Sequence, residues 1–202
     1  MAESTVASSR SAPTTRPRSF TRDEYLRMAE VGILTEDDPV ELIHGQIVEM
    51  SPENTPHRAA IMKLNRMLVE ALDPERYAVQ PQSTLPLDDH NVPEPDVAVL
   101  RGTPDDLMQG ELPAALVVEV ADTSLEHDRT VKQELYTQAE VPVYWIVNLT
   151  ARELEVYSDP GDDRYREHST RSDAETVTLP TQDGETLTVR DLLPETGGPS
   201  PE

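Results

Sequence analysis

Pro93-Glu94-Pro95-Asp96-Val97-Ala98-Val99-Leu100, and after a polar loop Leu116-Val117-Val118-Glu119-Val120-Ala121, are the two runs that decide how this chain reads. Each is almost wholly apolar, and each carries one buried-looking carboxylate. Short β-branched runs bounded by proline and polar loops are strands. The second, reading Ala114 to Ala121 in full, is hydrophobic at odd and even positions alike. It is therefore expected in the middle of a sheet with both faces covered. A carboxylate on such a strand is costly unless something pairs with it. Alternation puts Glu119 on the face of Val117 and Ala121, with Val118 and Val120 opposite. Asp96 stands at the start of its own strand. If the two strands are neighbours, the carboxylates converge, and a divalent metal would satisfy both as hard oxygen ligands.

Outward from there, Asp128 or Thr130 starts a helix to about Glu140, with Val131, Leu135, Tyr136 and Ala139 on one face. Lys132 lies four residues after Asp128, on the same side. This helix joins the Glu119 strand to another apolar strand, Val143 to Leu149, so it should pack across the sheet and can carry Lys132 to the same site. Two carboxylates, a metal and a lysine suit phosphodiester hydrolysis. The metal polarises the phosphate and lowers the pKa of a bound water, and the lysine orients that water or steadies developing charge. The plainer reading makes Lys132 a surface lysine paired with Asp128 or Glu126.

The remaining elements frame that centre. Ser19 or Thr21 caps a helix over Arg22 to Glu30. Val40 to Met50 reads as a hairpin turning at His44-Gly45, with Glu41 as a further candidate carboxylate for the site. Residues 57–72 form an amphipathic helix opened by His57, a candidate substrate contact or proton carrier. Tyr77 to Gln82 and Thr84 to Leu87 are expected strands, with Pro81 and Pro86 pointing to edges, and Gln80 is a candidate for lining a substrate groove. Arg152 to Ser158 with Arg164 to His168, and Thr176 to Leu179 with Thr186 to Val189, are expected hairpins, the second turning at Gln182-Asp183-Gly184. Trp145 and Tyr144 belong to the core. Asp88-Asp89-His90 and Asp159 to Asp163 resemble metal loops in composition but sit in turns. The expected organisation is a disordered arm over 1–18, one domain over 19–194, and a disordered tail over 195–202. The class is α/β to α+β, a mixed sheet flanked by helices.

Composition narrows the function. The 202 residues hold 39 Asp plus Glu against 17 Lys plus Arg, a net charge of −22, and only two lysines, Lys63 and Lys132. Such a surface repels polyanions and argues against a broad basic nucleic-acid face. It suits a protein from a salt-loving organism, and equally a soluble acidic protein. With no cysteine, disulfides, zinc thiolates and thiol catalysis are excluded. No apolar run approaches a membrane span. The Arg- and Ser-rich start lacks the apolar core of a secretory signal; it loosely suits a transit peptide, but a disordered arm and a cytoplasmic location are the expectation. No Gly-rich phosphate loop and no G-x-S-x-G occurs.

The ordered segments Thr21-x-x-Glu24-Tyr25, Val40-Glu41-Leu42-Ile43-x-Gly45-x-Ile47-Val48-x-Met50-Ser51-Pro52 and His57 continue with Pro95-Asp96-Val97-Ala98 and Val117-Val118-Glu119-Val120-Ala121-Asp122-x-Ser124. After them come Asp128-x-x-x-Lys132 and Tyr144-Trp145-Ile146-Val147. Over residues 20 to 158 the chain resembles the Uma-two family of restriction-endonuclease-like proteins, within the PD-(D/E)XK nuclease superfamily. The resemblance implies a restriction-endonuclease-like fold, a central mixed sheet with helices on both faces. It implies Mg2+ or Mn2+ on Asp96 and Glu119, and Lys132 as the catalytic lysine. Ala121 stands where the superfamily's E-x-K motif has its lysine, so Lys132 must substitute from the helix.

The expected function is a metal-dependent endonuclease acting on nucleic acid, DNA foremost, with Asp96, Glu119, Lys132 and Glu41 at its centre. The alternative is a catalytically inactive binding or assembly module of the same fold. A homodimer through the hairpins of 152–189 is expected on either reading.

Overall fold

The computed structural model describes residues 16–35, 37–181 and 184–195. Most of the expected N-terminal arm, the turn at Gln182-Asp183 and the tail beyond residue 195 lie outside them. The apolar run Ala114–Ala121 forms strand β5, buried from its second residue onward. It occupies the middle of a six-stranded sheet, as two-sided burial requires. With β3 (Tyr77–Pro81), β4 (Val97–Arg101), β6 (Val143–Asn148), β7 (Glu153–Pro160) and β8 (Tyr165–Ser172), the order is β3-β4-β5-β6-β7-β8. Only β5 and β6 pair in parallel, so the sheet is mixed. The parallel pair needs a crossover, supplied by the helical segment Leu125–Gln138.

Each sheet face has its own cover. The 17-residue helix α2 (Thr55–Ala71) lays Ala60, Ile61, Leu64 and Leu68 on Val97, Val99, Leu116, Val118, Val120 and Trp145. A small two-stranded sheet, β9 (Thr176–Thr178) with β10 (Thr186–Thr188), and the short C-terminal helix Val189–Leu192 join that layer. Opposite, Leu135 and Tyr136 of the crossover pack on Ala98, Leu100, Val117, Tyr144 and Ile146. Helix α1 (Arg22–Glu30) has a complete capping box between Thr21 and Glu24. It covers hairpin β1–β2 (Val40–Ile43, Gln46–Glu49) through Tyr25, Leu42 and Val92. The hairpin turns on His44 and Gly45, both at positive φ, the geometry a two-residue turn demands. It lies outside the main sheet, joined by a bridge from Leu42 to Val92 just ahead of β4.

Three expectations change. Thr84 to Leu87 is not a strand. Leu85 and Leu87 donate to the carbonyls of Pro93 and Asn91, but Pro86 has no N–H with which to continue a ladder. The helix expected at 57 begins at Thr55, because Asn54 caps it by accepting from the backbone N–H of His57 at 3.0 Å, with Pro56 in the first turn. The crossover helix begins at Leu125 rather than at Asp128 or Thr130, and Asp128–Lys132 is a π-helical turn within it.

Leu64 is fully buried between α2 and the sheet. Leu64→Ala should cost about 2–5 kcal/mol of unfolding free energy, read as a lowered denaturant midpoint with the slope unchanged.

Candidate active site

Strands β4 and β5 are antiparallel neighbours, with Val97 opposite Val118. One step further in that register sets Asp96 across from Glu119. The two are laced together. The Asp96 backbone N–H donates to Glu119 Oε2 at 3.3 Å, and the Val120 N–H donates to Asp96 Oδ2 at 2.7 Å. The convergence expected from alternation is therefore present, on the sheet face covered by the crossover helix.

That helix delivers three side chains at four-residue spacing: Asp128, Lys132 and Tyr136. In a regular α-helix each four-residue step overshoots a full turn by about 40°, so three such residues drift around the axis. The wider turn at Asp128–Lys132 offsets that drift. Asp128 and Lys132 line the cleft, and the Tyr136 hydroxyl reaches Glu119 Oε1 from behind at 2.7 Å. Asp128 accepts from Ser124 Oγ at 2.6 Å, and its carbonyl accepts from Tyr144 Oη at 3.2 Å. The neighbouring Arg129 turns away and pairs through two nitrogens with the buried Glu155 of β7. This fork clamps the π turn to the sheet.

Lys132 is not a surface lysine, and it pairs with neither Asp128 nor Glu126. It is 4 % exposed. Its Nζ lies 2.5 Å from Glu41 Oε1 and 3.3 Å from Glu119 Oε1. Glu41, on the first strand of the outlying hairpin, is buried and also accepts the Glu94 N–H at 2.9 Å. His57, held in the first turn of α2 by the Asn54 cap, is half-buried rather than an exposed helix-opening histidine, with Nε2 3.2 Å from Asp96 Oδ2. Gln80 lies on β3, opposite Ala98, and its amide donates to the Thr84 carbonyl at 3.1 Å; it does not line the cleft. The cleft encloses about 470 Å³.

The electrostatics follow from burial with too little positive charge. Glu41, Glu119 and Asp128 are all buried, Asp96 is nearly so, and the one lysine ammonium among them pairs with only Glu41 and Glu119. Burial pushes the Glu119 carboxyl up to about 8; Lys132 opposes this, while Asp96, Asp128 and Glu41 add to it. Burial likewise raises Asp128 to about 6, against the Ser124 hydrogen bond and Lys132. Burial alone would lower the pKa of Lys132, but Glu119 and Glu41 outweigh it and hold the ammonium charged. A carboxylate-rich pocket short of positive charge fits a hard divalent cation. Asp96 and Glu119 offer its oxygens. Glu53, His57 and Asp96 also offer ligand atoms that all lie within 4.8 Å of one another. Neither Glu53 nor Tyr136 stood out in the sequence. Asn54 before Pro56 is the cap signal that could have placed His57; nothing local marks the other two.

For His57, burial pulls the pKa down, but the hydrogen bond and charge of Asp96 and the charge of Glu53 together raise it above 6.5. A raised folded-state pKa means the pairing stabilises fully below the unfolded value, near 6.5, and is lost as pH climbs through the folded one. An NMR titration of His57 in the metal-free protein should give a midpoint above 6.5, falling in Asp96→Asn. Identical midpoints would show that Asp96 does not set it.

A solved structure described as "a putative nuclease belonging to DUF820" from Anabaena variabilis is similar at a TM-score of 0.67 and 19 % identity. The match covers 86 % of this chain and 97 % of that one. The shared architecture is the restriction-endonuclease-like fold. No curated protein matched the chain. The family model Uma2, described as "Putative restriction endonuclease", matches residues 22–194. That span takes in the whole sheet, the outlying hairpin and every residue of the cleft, and the chain therefore belongs to the Uma2 family.

Proposed function

We propose that this protein is a metal-dependent nuclease that hydrolyses phosphodiester bonds of nucleic acid, DNA foremost. One observation carries the reading. Seven carboxylates line one cleft, with those of Glu41, Asp96, Glu119 and Asp128 the most buried among them, and its single lysine is shared between two. Asp96 and Glu119 would hold Mg2+ or Mn2+. When bound, such an ion polarises the scissile phosphate and lowers the pKa of water. Lys132 presents N–H donors to the attacking water or to the charge that develops on the phosphoryl oxygens. Glu41 fixes where that ammonium stands. His57, whose Nε2 stands 3.2 Å from Asp96 Oδ2, would carry a proton to the departing oxygen. Metal coordination would also relieve the crowding of like charges in the cleft, and would let a polyanion approach a chain of net charge −22.

The net charge favours one other reading, a binding or assembly module that keeps the fold and the cation site without turnover. Both are separated by cleavage assays on single- and double-stranded DNA and on RNA, with Mg2+ or Mn2+, from low to molar salt. The nuclease reading expects metal-dependent cleavage that disappears in Asp96→Ala and falls about 10²–10³-fold in Lys132→Ala, with circular dichroism showing both variants folded. Cleavage unchanged in Asp96→Ala would remove Asp96 from the chemistry. Absence of cleavage by the folded parent under every condition would leave the module.

Strand β8 has no strand partner along its outer edge among the described residues, and this edge is where a second copy would add. Sedimentation at micromolar concentration should then show a dimer that Ser169→Pro dissociates; a monomeric parent removes the proposal.

A further inference from the structure

Tyr136 is fully buried beneath the cleft, on the turn of helix that follows Lys132. Its hydroxyl donates to Glu119 Oε1 at 2.7 Å. The same oxygen lies 3.3 Å from Lys132 Nζ. The other oxygen, Oε2, accepts, among the described residues, only the backbone N–H of Asp96, at 3.3 Å, and so faces the Asp96 side of the cleft. The two oxygens of Glu119 thus have different duties. Oε1 is filled by two donors from one helix, and Oε2 is turned toward the second carboxylate. A glutamate carboxylate rotates easily about its last bond, and one donor at 3.3 Å would restrain that rotation weakly.

The tyrosine is itself held. Its ring packs on Tyr144, with centroids 5.0 Å apart and planes tilted by 49°. Tyr144 is tied through its hydroxyl to the Asp128 carbonyl. The chain of contacts runs from the π turn through two buried rings to the carboxylate.

We infer that Tyr136 is a positioning residue: by occupying Oε1 of Glu119 it fixes that carboxylate so that Oε2 is presented, beside Asp96, to a divalent cation. The inference rests on the metal site proposed above. Outer donors of this kind typically set ligand orientation and change metal affinity 10–100-fold when removed.

Calorimetric titration of Mn2+ into the full-length protein tests it, with Tyr136→Phe, Tyr165→Phe and Glu119→Gln beside the parent and a melting curve for each. Tyr165 is the matched control. It is buried, and its hydroxyl donates to the Val141 carbonyl at 2.8 Å, outside both the cleft and the Arg129 clamp, so its loss also removes a buried tyrosine hydroxyl bond. The expected result is tight binding by the parent, none by Glu119→Gln, and a Kd about 10–100-fold weaker in Tyr136→Phe. Tyr165→Phe should keep the parent's Kd despite a comparable fall in melting temperature. Equal Kd values in Tyr136→Phe and the parent, or equal weakening in the two Phe variants, overturns the inference while leaving the metal site standing. A parent that binds no Mn2+ overturns the metal site and the inference with it. Should Tyr136→Phe not fold, the unsubstituted protein still decides. In protein labelled at tyrosine 13Cζ, Mg2+ should shift the signal of a solvent-shielded tyrosine. Mg2+ binding that moves no such signal overturns the inference.

Discussion

A single ammonium shared between two buried carboxylates holds the walls of the cleft together. Lys132 comes from the crossover helix, Glu119 from the central strand and Glu41 from a hairpin outside the main sheet. Burying such charges costs several kcal/mol per ion unless partners are well placed. Extensive apolar layers on both sheet faces make that cost tolerable. The arrangement is deliberately short of positive charge once Asp96 and Asp128 are counted. That shortage separates the cleft from the pair of exposed Arg129 with buried Glu155, where one guanidinium meets one carboxylate through a two-nitrogen fork and a tyrosine hydroxyl completes the set. The balanced pair is architectural. The unbalanced cluster lines the cleft.

The two are joined by five residues of π helix. Arg129 anchors the turn to β7, while Asp128 and Lys132 on either side of it face the cleft. A wide turn is less favourable than a regular one, and the Glu155 clamp, the Ser124 bond to Asp128 and the Tyr144 bond to the Asp128 carbonyl hold it.

Much of this was legible in the chain. The two-sided apolarity of Ala114–Ala121 announced a central strand, and period-two alternation placed Glu119 on the side where Asp96 could meet it. Ser19 or Thr21 was the expected cap of the first helix, and the structure settles on Thr21, in a capping box with Glu24. The failures have physical causes. Pro86 sat in a run whose composition was otherwise that of a strand, and its missing N–H outweighed the propensity of Leu85 and Leu87. No local residue pattern specifies a π turn, because the turn answers to Glu155, 26 positions beyond Arg129. The plainer reading of Lys132 failed for the same reason. It offered Asp128 and Glu126, close by in sequence, as partners, but the nearest carboxylate in space is that of Glu41, 91 residues away. Tyr136 looked like one more apolar position on a helix face, since only the tertiary structure reveals what its hydroxyl meets.

The outlying hairpin has a bearing on folding. Its backbone attachment to the rest of the chain is slight, chiefly the bridge from Leu42 to Val92 and the turn bonds at Gly45. The main sheet is complete without it. Local opening of such a unit requires far less free energy than global unfolding. Each opening would separate Glu41 from Lys132 and leave the ammonium to Glu119 alone, so the cleft can come apart while the sheet persists. An intact sheet and an intact site are two different thermodynamic states of this chain, and a global melting curve reports only the first.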